Sequence, residues 1–235
     1  MRGKIPPMRT ILAIETSSDL ASVALAHDGR ILTHEASGVQ THSQTVLPMV
    51  QQLLSEAGIA LARCDAIAFG AGPGSFTGVR TACGIAQGLA FGADLPVVPV
   101  VTLLAMAQAC RDANGADEVL VLLDARMEEV YWAQYRYLDG WQAVLQPALS
   151  APAGVTPVGQ PLACGNGLIA YASAFDAFPF AGGTQRDVMP HARHVAQLAQ
   201  IELAGGRTVN ARDAQPIYLR NKVALTTVER LGKVA

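Results

Sequence analysis

Lysine is nearly missing from this chain. Of 235 residues only Lys4, Lys222 and Lys233 are lysines, so residues 5–221 hold none. A phosphate-loop lysine, a kinase strand lysine and a Schiff-base lysine within the body are excluded together. Cysteine is scarce and dispersed: Cys64, Cys83, Cys110 and Cys164 are too far apart for a CxxC pair, and so few suit no disulfide scaffold. They read as buried reduced thiols. Long apolar runs are lacking too, because the uncharged stretches 95–110 and 140–175 are broken by proline or glycine, so no membrane span is expected. The apolar run at 11–14 stops at Glu15 before a signal sequence can form. Residues 1–7 read as an extension ahead of a start near Met8, and the protein as cytoplasmic.

Charge is sparse at 15% of residues, with a net charge of −2, and aromatics are 6%. No basic stripe interleaves with aromatic residues, which argues against nucleic-acid binding by this chain alone. The charge is uneven, however. Arg207, Arg212, Arg220, Lys222, Arg230 and Lys233 face only Asp213 and Glu229, leaving that end at +4. Such an end reads as a solvated surface or as a dock for an acidic protein surface or RNA phosphates.

What the chain has is apolar bulk. A hydrophobic share of 51% excludes disorder and supports a core, and the length suits one large domain or two small ones. Three short β-type runs open it, at 10–16, 21–26 and 30–36, and Asp28-Gly29 joins the last two as a hairpin. Val46, Leu47, Val50, Leu53, Leu54 and Ala57 then recur at helical spacing until Gly58, and Pro48 places the helix start near 43–45. A buried strand at 66–69, a glycine-rich turn at 70–75 and a helix at 76–91 follow. A strand at 96–100 and a helix at 102–111 complete a mixed sheet covered by helices. The pattern restarts with strands at 118–123 and 130–137 and dissolves into segments rich in proline and glycine. A helix at 191–203 closes it. We expect an extension at 1–7, a first α/β lobe at 8–110 that carries partner-binding helices, and a second at 111–235. Its C-terminal segment can pack back on the first. No internal repeat of fixed period is visible.

Two places look suited to chemistry. ETSS at 15–18 ends a buried strand in a carboxylate and hydroxyls, which can hold a phosphate or a magnesium-bound water, or simply close a turn. GPGSFTGVR at 72–80 turns from a strand into a helix that Ser75 can cap, and such an N-terminus can also bind an anion.

As patterns these segments are more specific than their parts. The run ILAIETSSDLASVAL at 11–25 resembles the first phosphate motif of the actin-like ATPase superfamily in its threonylcarbamoyl-transfer branch. GPGSFTGVRTACGIAQGLA at 72–90 resembles the TsaB (YeaZ) family more than its catalytic relative TsaD. DARMEEVYW at 124–132 is similar to a second signature of that family, with weaker matches at GNG, 165–167, and PIYLR, 216–220.

The resemblance implies two lobes of the actin-like ATPase, ribonuclease H-like type. It also implies a noncatalytic subunit that pairs with TsaD, works with the ATPase TsaE, and supports threonylcarbamoyl transfer to a tRNA adenosine. Contact with tRNA is expected only through the complex, and a homodimer is an alternative state of the isolated chain. TsaD-type proteins carry a HxxxH metal pair. Here His42 is followed four residues later by Val46, so no metal site is expected there, and His42 reads as a helix-start or surface group. His191 and His194 lie three apart and read as groups on a solvated helix.

With the nucleotide segment of the second lobe reduced to Gly165-Asn166-Gly167, no cofactor is required by this chain alone. Thr16, Ser17 and Asp124 remain as vestigial cofactor-binding residues for weak ATP or ADP with magnesium at the partner interface. No residue is assigned a catalytic role. The pairing surface implied by the family falls on the first-lobe helices, with Leu47, Val50, Leu54, Arg80, Thr81, Gly84 and Gly88 as its residues. Gly84, Gly88 and Gly92 recur every four residues beside Ala82, Ala86 and Ala90, leaving a stripe where a partner helix or the chain's own sheet can come close. Competing readings are a self-sufficient ATPase or small-molecule kinase using Glu15, Thr16 and Asp124, a homodimeric scaffold, and a peptidase. The peptidase lacks both a HExxH cluster and a GxSxG elbow.

Overall fold

The computed structural model describes residues 9–37, 42–176, 178, 180 and 183–220. The first lobe runs β1 (Ile11–Glu15), β2 (Ala21–His27), β3 (Arg30–Ala36), α1 (His42–Ala57), β4 (Ala66–Gly72), α2 (Phe76–Ala93) and β5 (Val97–Val101). Helix α3 (Thr102–Asn114) leads into β6 (Glu118–Asp124), β7 (Val130–Tyr137), β8 (Trp141–Ser150) and β9 (Leu162–Cys164). Then come α4 (Gly167–Ala170), α5 (Ala172–Phe175), β10 (Thr184–Gln185) and α6 (Ala192–Ala204).

The strand orders are β3-β2-β1-β4-β5 and β8-β7-β6-β9-β10. In each sheet three strands form an antiparallel meander and the first of them continues into two parallel neighbours. The chain therefore contains one topology twice, in the two-lobed α/β arrangement expected of actin-like, ribonuclease H-like lobes. No fixed period betrays this in the sequence because the halves differ in length everywhere. The seven-residue β4 corresponds to the three-residue β9, and the helix between β3 and β4 has only a short 3-10 turn as its counterpart.

Strands β1, β2 and β4 are mostly apolar, with Glu15 and Ser22 as buried exceptions, because helices cover both faces of their sheet. Leu12, Ile14, Val23, Leu25, Ile67 and Phe69 point to α1 and α2. Ile11, Ala13, Ala24, Ala26, Ala66 and Ala68 point the other way, to Ala192, Val195, Ala196 and Ala199 of α6. Alanine faces alanine there, so α6, late in the chain, lies close against the first sheet. The hairpin turn is as its residues dictate: His27 pairs with Arg30, and Asp28 and Gly29 take left-handed φ values of 47° and 76°.

Three local expectations need correction. Strand β8 falls in the stretch expected to be irregular. It is an edge strand, and Pro147 sits where the pairing register shifts opposite Ala133, a place where a missing N–H costs no ladder bond. Helix α1 begins at His42, so Pro48 lies inside the helix rather than in its first turn. His191 and His194 are not on a solvated face. His191 caps α6 by accepting from Arg193 N–H (3.0 Å) and meets Glu35 (3.1 Å), while burial lowers the pKa of His194 to about 4.

Candidate functional site

Between the lobes lies a cleft of about 350 Å³ whose lining includes Ser17, Ser75, Asp124, Arg126, Tyr218 and Arg220. Its first wall begins where β1 ends. The Glu15 side chain is wholly buried and accepts from Ser17 N–H (2.6 Å) and from the Thr102 hydroxyl (3.2 Å). Thr102 Oγ1 in turn accepts from Gly72 N–H (3.1 Å). Burial pushes the Glu15 carboxyl pKa up, and these hydrogen bonds only partly oppose it. Gly70 provides the space, since a Cβ there would fall on the carboxylate.

Thr16 turns inward as well. Its hydroxyl donates to Gly78 O (2.7 Å), so it joins β1 to α2 and does not face the cleft. Ser75 N–H donates to Ser17 O (2.7 Å), and Ser75 Oγ caps α2 by accepting from Gly78 N–H (3.3 Å). The two sequence motifs are thus sewn into one wall, with Ser17, itself buried, lining the cleft.

Asp124, at the end of β6, forms the opposite wall. Its N–H donates to Asn166 Oδ1 (2.9 Å), and its Oδ1 accepts from Arg126 N–H (2.8 Å) and the Tyr171 hydroxyl (2.9 Å). The Tyr171 pKa is pushed up to about 12, by burial first and the bond to Asp124 second. Asp124 Oδ2 pairs with Arg126 (3.3 Å), which also reaches Asp19 of the first lobe (3.4 Å). Arg126, Met127 and Glu128 take left-handed φ values of 60°, 57° and 61° in succession. Such a conformation costs about 1–2 kcal/mol per non-glycine residue, so something must hold it. Arg220 does, by pairing with Glu129 and donating to Arg126 O (3.4 Å).

Arg220 ends a strap that starts on α2. Gln87 donates to Ala214 O (3.0 Å), Ile217 N–H donates to Ala71 O (2.7 Å), and Tyr218 Oη accepts from Arg80 Nε–H (2.8 Å). Of the three residues assigned to a cofactor, Ser17 and Asp124 meet at the cleft and Thr16 does not. Asn166, Tyr171, Arg126 and Arg220 complete the site without having been singled out individually. The DARMEE, GNG and PIYLR motifs carried Arg126, Asn166 and Arg220, and no motif pointed to Tyr171.

The first-lobe helices sort the expected pairing residues. Leu47 is 43% exposed and Leu54 half-buried, whereas Val50, at 2%, belongs to the first-lobe core and is removed from the surface set. Arg80 is exposed, and Thr81, half-buried, donates to Thr77 O (3.0 Å). Ala82, Ala86 and Ala90 pack on the sheet, but Gly84, Gly88 and Gly92 face outward, with no described residue within 4 Å of where a Cβ would stand. The small residues therefore form two faces, not one stripe, and packing against the chain's own sheet does not explain the glycines.

Among the described residues no cluster of three His, Cys, Asp or Glu can hold a metal ion, and no helix is long and apolar enough to cross a membrane. All four cysteines are free and buried. Of the basic end, Arg207 pairs with Glu202 and Arg220 with Glu129, while Lys222, Arg230 and Lys233 lie outside the described residues.

Known proteins share both sequence and architecture with this chain. It is 42% identical to the tRNA threonylcarbamoyladenosine biosynthesis protein TsaB of Escherichia coli over 91% of its length and 96% of that protein. It is 39% identical to the Haemophilus influenzae TsaB, covering 91% and 94%. The chain belongs to the TsaB (YeaZ) family. The solved YeaZ of Pseudomonas aeruginosa superposes with a TM-score of 0.83 at 40% identity, over 90% of this chain and 100% of that one. Residues 30–226 also match the wider family described as TsaD, tRNA N6-adenosine threonylcarbamoyltransferase. The TsaB-like segments quoted from the sequence are those that build the two cleft walls.

Proposed function

We propose that this chain is a noncatalytic subunit of the tRNA threonylcarbamoyladenosine machinery. It binds TsaD, acts with TsaE, and supports threonylcarbamoyl transfer to a tRNA adenosine. The observation that carries this reading is the outward glycine face of α2. Glycine inside a helix costs about 1 kcal/mol relative to alanine. Gly84, Gly88 and Gly92 accept that cost where no described residue packs against them. Close approach of another backbone, beside exposed Leu47, is the use such a face has. Kinship with proteins named for threonylcarbamoyladenosine biosynthesis makes TsaD the partner of choice.

The cleft does not fit a catalytic magnesium site. Glu15 is sealed beneath the first wall, and both oxygens of Asp124 are engaged by Arg126 and Tyr171. The chain therefore needs no nucleotide of its own in this reading, and weak ATP or ADP with magnesium belongs to the assembled partner interface. The test is binding of TsaD by Gly84→Leu and Gly88→Leu variants. Both should stay folded and lose the partner, and unchanged capture by both would remove the interface from this face. Isothermal titration of the isolated chain with ATP should show no micromolar binding, and micromolar affinity would bring back the self-sufficient ATPase.

A further inference from the structure

Resting on the reading of α2 as the partner face, we infer that Arg80 is a preorganised receptor for one carboxylate of the partner protein. Arg80 is the only charged residue of α2. On α1 the only ordinary charge is Glu56, and His34 engages it at 2.9 Å. The two helices thus offer a neutral surface with a single uncommitted cation at one end.

That cation is held in place. The guanidinium carbon lies 3.3 Å from the Phe76 ring centroid and 5.2 Å from that of Tyr218, and Nε–H donates to Tyr218 Oη at 2.8 Å. Among the described residues nothing bonds the two terminal nitrogens. Two rings and one hydrogen bond have already taken the side chain's freedom, so a fork of N–H groups is presented without further ordering cost. Planar bidentate geometry suits a carboxylate or a phosphate. Phosphate recognition along a nucleic-acid backbone uses several cations together, and among the described residues α1 and α2 present one. A single acidic side chain in an otherwise neutral protein surface is the complement that fits.

The experiment measures TsaD affinity, by titration calorimetry, for the wild-type chain and for Arg80→Glu, Arg80→Lys, Tyr218→Phe and Gly84→Leu, with thermal denaturation as the folding control. Arg80→Glu should weaken binding by about tenfold or more through repulsion at the acceptor. Arg80→Lys keeps the charge, loses the fork and the ring stack, and should fall between. Tyr218→Phe keeps the ring and frees Nε, and should cost about threefold. Wild-type affinity in Arg80→Glu together with weakened Gly84→Leu would overturn the carboxylate receptor and leave the partner face standing. Unchanged binding in both would remove the face as well. The tRNA affinity of the assembled complex is measured in parallel. A loss confined to tRNA in Arg80→Glu would assign the fork to a phosphate and overturn the inference.

Discussion

Gly78 and Gly84 stand on the same helix under opposite constraints. A Cβ at Gly78 would lie 1.9 Å from Thr16 O, inside the joint that ties α2 to the end of β1, whereas one at Gly84 would meet none of the described residues. Gly78→Ala is therefore expected to destabilise the chain by about 1–3 kcal/mol, through displacement of that joint. Gly84→Ala should stabilise it by about 0.5–1 kcal/mol, through helix propensity alone. Urea denaturation of both variants checks the pair, and equal effects would contradict the assignment of the two faces. His194 supplies a second test. Burial lowers its pKa from 6.5 to about 4, so between those values the unfolded chain binds the proton that the folded chain refuses. Stability is lost as pH falls through that window, by up to about 3 kcal/mol. His194→Gln should remove most of that acid-dependent loss, and an unaltered pH profile would count against the burial. Neither constraint was legible in the sequence. Gly78 and Gly84 look alike as letters, and His194 reads as a surface group until α6 is placed on the first sheet.

At the scale of elements, strands β1 to β7 and helices α2 and α6 were visible as apolar periods bounded by glycine, proline and turn residues. Strand β8 was hidden by Pro147, which tolerates an edge position that only the assembled sheet reveals. Helix α2 shows the limit of pattern reading most clearly. Its four-residue glycine spacing announced a close approach, but the alanines beside it serve the sheet and the glycines serve the outside. Gly88→Leu is expected to leave the unfolding transition within about 1 kcal/mol of wild type, because its side chain enters open space, and to lower partner capture. Loss of folding in that variant would mean that the glycine face is internal after all. The cleft was partly legible too. Ser17 lies just past the end of β1 and Asp124 ends β6, the corresponding strand of the other lobe, whereas Thr16 was misplaced because its inward hydroxyl bond to Gly78 depends on how β1 and α2 meet.

For the whole molecule, duplication of one lobe places two strand-end turns across a cleft. Arg126 spans the lobes through Asp19, and the strap ending in Arg220 ties α2 to the left-handed turn. The cleft walls are joined to themselves and to α2, and the carboxylates of Glu15 and Asp124 are engaged in hydrogen bonds and ion pairs. In the proposed reading, that commitment leaves the chemistry to another protein. The most direct measurement is threonylcarbamoylation of tRNA by TsaD, TsaE and the adenylate-forming enzyme TsaC, with threonine, bicarbonate and ATP, with and without this chain. Product should vanish on omission and return with the wild-type chain, and the chain alone should hydrolyse no ATP. Undiminished product in its absence would contradict the account.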